Sequence, residues 1–200
     1  KYIKLIHEST SSISRNLSRA SSLIGSFKQV AVDQASEQKR NFNLKEYLDE
    51  VILSLHSKLK QTKLKIIVTC EDIEIDSYPG IFSQIITNLI FNSILHGFEE
   101  SQNGAMTFNI YLNNDFLQFN YQDNGIGMEE DVLKQIFDPF FTTKRNQGGT
   151  GLGLNIVYNL VTQKLKGKID CSSTYGHGVE FTIQIPYKSQ TQSRFKDEDQ

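Results

Sequence analysis

Neutral polar side chains recur every four residues along one apolar stretch of this sequence. The stretch IFSQIITNLIFNSILHGF carries Gln84, Asn88, Asn92 and His96, and this spacing places them on one face of a helix. A face turned to solvent would more often carry Lys or Glu, whereas buried amides need hydrogen-bond partners. An asparagine carbonyl oxygen also suits Mg²⁺, which is usually held by few protein ligands together with phosphate oxygens and waters. The stripe is therefore either a solvent face or a ligand-facing one, and its neutral amides favour the ligand.

A carboxylate followed by two glycines stands at the end of a predicted strand. The strand FLQFNYQ leads into DNGIGM, which contains Asp123, Gly125 and Gly127. Bare backbone lets a flat ligand lie against such a loop, and a carboxylate can accept a hydrogen bond from an exocyclic amine such as N6 of adenine. Because Asp and Gly also make ordinary turns, this pattern alone does not separate a turn from a purine site.

A loop rich in hydroxyls and glycines precedes the last predicted helix. It reads IFDPFFTTKRNQGGTGLG, and Lys144 and Arg145 supply its positive charge. Its hydroxyls and its unobstructed backbone N–H groups ahead of a helix suit a phosphate. The loop is not a Walker loop, because no Gly-Lys-Ser/Thr closes it, and it is not a dinucleotide fingerprint after a strand. A phosphate loop and a flexible turn remain the two interpretations.

Periodicity predicts the elements that position these residues. Strands flanked by helices without regular βαβ alternation predict an α+β fold, a two-layer sandwich with one mixed sheet and helices on one face. Asn43, with Glu46 three residues later, resembles a helix-capping box. The predicted elements are a helix from that cap to about residue 62, a strand at 65–70, a helix at 80–97, a hairpin around 113–115, a short helix EEDVLKQIF, a helix LNIVYNLVTQKL and a last hairpin through 175–178.

Residues 1–36 predict a long helix in front of this body. Apolar residues follow a heptad from Ile3 to Ala31 with one polar member, Thr10. Such a narrow stripe needs a partner helix. The partner is either the helix's own domain or, as the pattern favours, another chain or a missing segment. We therefore expect a helix at 1–36, a body at 37–187 and a polar, disordered tail at 188–200.

The composition narrows the classes of partner. The chain of 200 residues has a net charge of -2 and a pI of about 6.1, which gives no electrostatic reason to expect nucleic acid or an anionic membrane. Cys70 and Cys171 lack metal-ligand spacing and read as core residues of a reducing compartment. No apolar run reaches the roughly 18 residues of a membrane span. Because the chain starts at Lys1, we expect a piece of a longer protein. We expect this piece in the cytoplasm, and anchoring of the parent protein in an inner membrane is left open.

Taken in this order, the motifs resemble a known family. The stretches NLIFNSILHGF, DNGIGM, IFDPFFTTK and GGTGLGLNIV resemble the N, G1, F and G2 boxes of the histidine-kinase ATP-binding domain, which has the Bergerat (GHKL) fold. The resemblance covers about residues 43–187. The segment LSRASSLIGSFKQVAVDQ also resembles the second helix of the family's dimerisation hairpin.

The resemblance implies a set of ATP-binding residues. Asn92 resembles the Mg²⁺ ligand, and Asn88 and His96 are expected to face the phosphates and ribose. Asp123 is expected to bind N6 of adenine, and Thr182 to support the adenine pocket through a water. The implied set is Asn88, Asn92, His96, Asp123, Gly125, Ile126, Gly127, Thr142, Lys144, Arg145, Gly149, Thr150, Gly151, Leu152, Gly153 and Thr182. Among these, Lys144 and Arg145 would contact phosphate, and Gly149 to Gly153 would belong to a mobile ATP lid that closes the site.

Two positions depart from relatives. Many family members carry Lys three residues after the metal-binding Asn, where this chain has Leu95, so a phosphate contact must come from elsewhere, with Lys144 as a candidate. Relatives that hydrolyse ATP carry a Glu base where this chain has Asn88. An amide cannot take a proton from water at neutral pH, which favours transfer to a protein nucleophile over hydrolysis.

The resemblance implies a protein-histidine kinase of a two-component system. Asn92 and Asn88 would serve transfer of the ATP γ-phosphoryl to a histidine, for relay to a response-regulator aspartate, with ATP and Mg²⁺ as cofactors and a homodimer formed through the front helix. His7 stands in an His-Glu pair, but no Pro follows and the heptad runs on unbroken. We therefore expect the acceptor histidine outside this chain.

Two rival functions are kept. An ATP-driven conformational switch would be favoured by Glu in place of Asn88. A non-catalytic partner-binding module would be favoured by loss of Asn92, Asp123 or the lid glycines, all of which are present, although Leu95 is in its favour.

Overall fold

The structure is a computed structural model that describes residues 38–98, 103–147 and 149–187, together with Tyr2, His7, Thr10 and Ile13. These four isolated residues are helical. The rest of the predicted helix at 1–36 and the predicted tail at 188–200 lie outside the described residues. Within the described part of the chain, no helix is both long enough and apolar enough to cross a membrane.

A mixed five-stranded sheet forms one layer of the fold. Its strands are β2 (Lys63–Cys70), β4 (Asn103–Asn113), β5 (Phe116–Asp123), β6 (Lys168–Ser173) and β7 (Val179–Pro186), in the order β2-β4-β5-β7-β6. The β2–β4 pair is parallel and the other pairs are antiparallel. This sheet, with helices packed on it, confirms the predicted α+β fold.

A small second sheet was not predicted. It joins β1 (Arg40–Asn43) antiparallel to β3 (Glu74–Ser77). Strand β1 holds one apolar residue, Phe42, and its segment therefore reads as polar in sequence. Phe42 is buried and packs edge-on against Tyr47 and Phe82, with ring centroids 5.2 and 5.9 Å away. This aromatic contact holds strand β1 against the helices that carry Tyr47 and Phe82.

The helices begin where the sequence predicts but end earlier. The helical elements are α1 (Leu44–Ser54), α2 (His56–Leu59), α3 (Pro79–Asn92), α4 (Glu130–Leu133) and α5 (Gly153–Asn159). The Asn43 side chain caps α1 by accepting from the Glu46 N–H at 3.0 Å. Two π-helical turns, Ser93–Gly97 after α3 and Leu160–Lys164 after α5, carry on the predicted helices.

The core lies between the helices and one face of the sheet. Alternation along β5 and β7 turns Phe119, Tyr121, Phe181 and Ile183 to this face, and all four are buried. The buried residues of α3, such as Leu89, belong to the same hydrophobic core. Burial of each large apolar side chain contributes about 1.5–3 kcal/mol to folding, so α3 is firmly held and the polar residues on its other side have fixed positions.

Candidate functional site

One cavity of about 490 Å³ opens between α3, the loop after β5 and the glycine-rich loop before α5. It brings together most of the site residues predicted from the sequence. Those that line it are Asn88, Asn92, His96, Ile126, Gly127, Thr142, Lys144, Gly149, Thr150, Gly151 and Gly153. The fourth member of the polar stripe, Gln84, is exposed and lies outside the lining. The stripe on α3 is therefore part solvent face and part cavity wall.

Apolar side chains form much of the remaining wall, and the sequence analysis did not assign them. They are Phe91, Leu95, Met128, Val132, Ile136, Phe141, Leu154 and Tyr175, joined by Glu129 and Thr143. The helical spacing of Val132 and Ile136 is a signal of burial, but it does not distinguish a core from a ligand pocket. A largely apolar wall with a few polar groups is typical of small-molecule sites.

Asp123 is buried behind the cavity wall, at the end of β5. Only 2% of its surface is exposed, so it does not line the cavity itself, although Ile126 and Gly127 of the same loop do. Its Oδ1 accepts from the Gly125 N–H at 3.0 Å, and its Oδ2 accepts from the Ser93 hydroxyl. Buried carboxylates require such partners, so the Asp123 side chain and the backbone of the loop that follows it stabilise each other.

The Asp-Gly loop, residues 123–128, is fixed on two sides by backbone contacts. The Ile126 N–H donates to the Gly97 carbonyl at 2.8 Å, at the end of the π turn after α3. The Ile126 carbonyl accepts from the Gly176 N–H at 2.6 Å, in the turn between β6 and β7. Gly125 allows this approach, because a Cβ there would lie 2.2 Å from the Gly97 oxygen.

The cationic end of the cavity is built by the Phe-Thr loop, residues 138–144. The Lys144 N–H donates to Thr142 Oγ1 at 3.2 Å, and the Lys144 carbonyl accepts from the Gly149 N–H at 3.1 Å. His96 Nδ1 lies 3.0 Å from Thr143 Oγ1. Burial lowers the pKa of His96 below its ordinary 6.5, and the neighbouring Lys144 charge lowers it further. This end therefore presents Lys144 as its cation together with a neutral imidazole.

The lid segment, residues 149–153, packs against the Phe-Thr loop. Gly151 has a φ of 68°, a conformation that glycine adopts without strain. A Cβ there would lie 2.4 Å from the Phe140 carbonyl carbon. Two requirements, a left-handed backbone and close packing, explain the glycine at this position.

Besides Asp123 and Gly125, three predicted site residues are absent from the cavity lining. Arg145 is exposed, and its guanidinium donates to the Phe140 carbonyl at 2.9 Å. Leu152 caps α5 with its backbone and is absent from the lining. Thr182 lies on the opposite face of the sheet from Asp123, because β7 alternates and its partner on β5 is Asn120. The prediction for Thr182 is therefore wrong, and Val179 is the β7 residue paired with Asp123.

The metal-binding groups of the cavity suit a cation that is bound by the protein and by a ligand together. Asn88 and Asn92 line the wall, and the side chain of each has an amide oxygen that can bind a cation. Among the described residues, no group of three His, Cys, Asp or Glu side chains could hold a metal. Mg²⁺ is often bound by one or two protein oxygens, with phosphates and waters completing its shell. The residues present fit that arrangement.

Comparison with known proteins finds similarity to one family of ATPases and to sensor kinases. Residues 78–189 match the family described as Histidine kinase-, DNA gyrase B-, and HSP90-like ATPase. Sporulation kinase E of Bacillus subtilis is 29% identical over 189 residues, which cover 93% of this chain and 25% of that protein. The chain thus spans about a quarter of the length of such relatives.

Solved structures agree with this family. The catalytic domain of histidine kinase ThkA, in a nucleotide-free form, superposes with a TM-score of 0.62 at 27% identity, covering 74% of this chain and 95% of that domain. Histidine kinase ThkA in complex with response regulator protein TrrA superposes with a TM-score of 0.60 at 22% identity, covering 88% of this chain and 49% of that chain. At this identity, the similarity to the ThkA–TrrA complex shows a shared fold alone.

Proposed function

The chain belongs to the family of histidine kinase-, DNA gyrase B- and HSP90-like ATPases, and we propose that it serves as the ATP-binding catalytic part of a sensor histidine kinase. The observation that supports this most is one cavity in which the α3 stripe, the Asp-Gly loop and the lid segment meet. Each of these carries a different part of nucleotide recognition.

The chemistry of the lining residues suggests how ATP would lie. The Asp-Gly loop offers a flat backbone surface at Gly127 and a carboxylate acceptor at Asp123, which suits the adenine amine. Lys144 and the lid segment line the same cavity, and Lys144 can neutralise phosphate charge. The base would therefore lie against the Asp-Gly loop, with the phosphates between α3 and the lid segment.

Asn92 and Asn88 would act on the phosphate side. We propose that Asn92 binds Mg²⁺, which bridges phosphate oxygens and neutralises their charge when bound. Asn88 lies one turn away on the same wall. As an amide it cannot serve as a general base for water, so its role would be to orient phosphate. Positioning and charge neutralisation are the main contributions of a protein to phosphoryl transfer.

The phosphoryl acceptor and the partners are part of the proposal. We propose residues 1–36 as a helix of the dimerisation hairpin, 37–187 as the ATP-binding domain and 188–200 as a tail. Ile13, in the predicted heptad, is 59% exposed in the single chain, which supports pairing with another helix. The acceptor histidine would lie on that other helix, and not at His7. Because ThkA is found with a response regulator, we propose a receiver domain as the next partner, in the cytoplasm where ATP is supplied.

Calorimetric titration tests the nucleotide site. We expect ADP and a non-hydrolysable ATP analogue to bind with a Kd of about micromolar magnitude, and more weakly with excess chelator than with Mg²⁺. Asn92→Ala should abolish the difference between Mg²⁺ and chelator. Gln84→Ala is the matched control, because it removes an amide of the same stripe outside the cavity. Absence of binding in both conditions would reject the proposal and favour the partner-binding module.

Transfer is tested with a longer chain that includes the upstream segment. We expect γ-labelled ATP to leave protein-bound label that survives base and is lost in acid, as a phosphohistidine would. An ATP-driven switch would instead release phosphate in the shorter chain, without any acceptor helix. Phosphate release at equal rates from the shorter and the longer chain would contradict the kinase proposal.

A further inference from the structure

A chain of buried polar groups lies directly behind the cavity wall. The Tyr121 hydroxyl donates to Ser93 Oγ at 2.7 Å, and Ser93 Oγ in turn donates to Asp123 Oδ2 in a short hydrogen bond. The exposed fractions of Tyr121, Ser93 and Asp123 are 0, 1 and 2%. We call these three residues the buried hydrogen-bond chain. These groups are almost closed to bulk solvent, with the small remaining exposure at Ser93 and Asp123, so in the free protein they depend mainly on one another.

The direction of donation along the buried hydrogen-bond chain follows from the chemistry of its three groups. A serine hydroxyl has one proton, and an ionised carboxylate can only accept. Because Tyr121 donates to Ser93, the single Ser93 proton is free to point at Asp123. Burial raises the pKa of Tyr121 far above its usual value, so the phenol remains a donor at every working pH. The buried hydrogen-bond chain therefore keeps the Ser93 hydroxyl oriented as a donor to Asp123 Oδ2.

The carboxylate is held at both of its oxygens. Oδ1 accepts from the Gly125 N–H at 3.0 Å, while Oδ2 accepts from Ser93. Each carboxylate oxygen has a further lone pair, so one donor from a ligand can still be accommodated. A fixed acceptor discriminates against a ligand that lacks the matching donor, because the buried group is then left unpaired.

The buried hydrogen-bond chain connects the end of α3 with the end of β5. Ser93 directly follows Asn92 and begins the π turn after α3. Tyr121 lies two residues before Asp123 on the same face of β5, and its ring packs on Phe108 with centroids 4.8 Å apart. The hydroxyl of Tyr121 adds nothing to that ring packing. Its use must lie in the hydrogen bond that it makes.

We propose that Ser93 and Tyr121 are positioning residues which hold the Asp123 carboxylate as the acceptor for the exocyclic amine of adenine, and thereby set the preference for adenine nucleotides. This inference rests on the proposed function, since it concerns the same nucleotide site. It adds two residues that would not touch the nucleotide but would determine which base is accepted.

The test compares two nucleotides that differ in one group. Calorimetry measures the Kd of ADP and of purine riboside diphosphate, which has hydrogen in place of the exocyclic amine. The ratio of interest is the Kd of purine riboside diphosphate divided by the Kd of ADP. We expect Ser93→Ala to reduce this ratio roughly tenfold, as for loss of a hydrogen bond to a charged group. Tyr121→Phe keeps the ring and should reduce the ratio by less, about threefold. In the Ser93→Ala background, Tyr121→Phe should have no further effect on the ratio.

Two comparisons separate positioning from a structural role. Thr182→Val removes a hydroxyl from the other face of the same sheet and should leave the ratio unchanged. Thermal unfolding with and without ADP checks that each variant is folded. If Ser93→Ala does not fold, Tyr121→Phe alone decides, and an unchanged ratio in that variant overturns the proposal.

The outcomes distinguish this inference from the proposed function. Equal weakening of both nucleotides in Ser93→Ala would indicate a structural role and overturn the inference. An unchanged ratio in Ser93→Ala, together with a reduced one in Asp123→Asn, would also overturn it while the proposed function stands. Failure of the unmodified protein to bind ADP would overturn both.

Discussion

Replacement of Gly125 by alanine should disrupt the contact between the Asp-Gly loop and the end of the π turn. The new Cβ would lie 2.2 Å from the Gly97 oxygen and 2.7 Å from its carbonyl carbon. An ordinary contact of carbon with a carbonyl oxygen is about 3.3–3.6 Å, so the two segments must separate by roughly 1 Å. Both atoms belong to the backbone, and rotation of a side chain cannot relieve the clash.

The magnitude follows from the contacts that are lost. The Gly97 oxygen also accepts from Ile126 at 2.8 Å, and loss of that bond costs about 0.5–1.5 kcal/mol. Overpacking adds about 1–3 kcal/mol, so we expect the free energy of unfolding to fall by roughly 2–4 kcal/mol. For a domain of this size, each kcal/mol corresponds to about 2–4 °C. The Tm of Gly125→Ala should therefore fall by roughly 4–16 °C.

Gly153→Ala provides a matched control. Its Cβ would meet Asn88 Oδ1 at 3.4 Å, which is ordinary contact with the end of a side chain. Gly153 is the first residue of α5, and an alanine in a helix is more stable than glycine by about 0.5–1 kcal/mol. The same chemical change should therefore raise the Tm slightly at one position and lower it strongly at the other.

Thermal and urea unfolding, with and without ADP, measure both variants. We also expect Gly125→Ala to weaken ADP binding, because the loop that carries Asp123 is displaced. Equal Tm values for the two variants would refute the reasoning, as would a Gly125→Ala protein within about 2 °C of the unmodified one. Either result would mean that the close approach of Gly125 and Gly97 is not part of the native packing.

Three further expectations concern single side chains. Because the pKa of His96 is lowered on folding, the unfolded chain binds its proton more readily, so unfolding measured by urea should become easier as pH falls below about 6.5, and less steeply so in His96→Gln. In calorimetry, Lys144→Ala should weaken the binding of an ATP analogue about tenfold more than the binding of adenosine. The Arg145 side chain donates to the Phe140 carbonyl, so Arg145→Ala should weaken the binding of the two ligands equally. Thr182→Val should leave the ADP Kd unchanged, and a clear loss of affinity would return Thr182 to the adenine pocket.

The sequence predicted those parts of the fold that periodicity controls. The apolar pattern of α3 and the alternation of β5 and β7 are determined by residues close together in the chain. Each element predicted between residues 43 and 187 is present. Strand β1 was missed because its four residues contain only Phe42 as an apolar member. Its strand form depends on pairing with β3, more than thirty residues later, and local patterns do not report such pairing.

The candidate site shows the same division between local and distant information. Spacing of four residues correctly grouped Asn88, Asn92 and His96 in one cavity lining, but it could not show that Gln84 is exposed outside that lining. Lys144 and Arg145 are neighbours with the same charge, yet only the former lines the cavity. The Phe140 carbonyl that holds Arg145 takes its position from a left-handed residue at φ 66°, which the sequence FDPFF does not indicate.

The buried hydrogen-bond chain could not have been inferred from the sequence at all, because Ser93 lies 30 residues from Asp123 and 28 from Tyr121. The π turn explains how they meet. Its first residue, Ser93, holds the Asp123 carboxylate, and its last, Gly97, accepts from Ile126. The end of α3 thus grips the Asp-Gly loop at two points, four residues apart on one helical face. The wall that would bind metal and the loop that would bind adenine are therefore joined by two hydrogen bonds, and we expect nucleotide binding to move the lid segment relative to both.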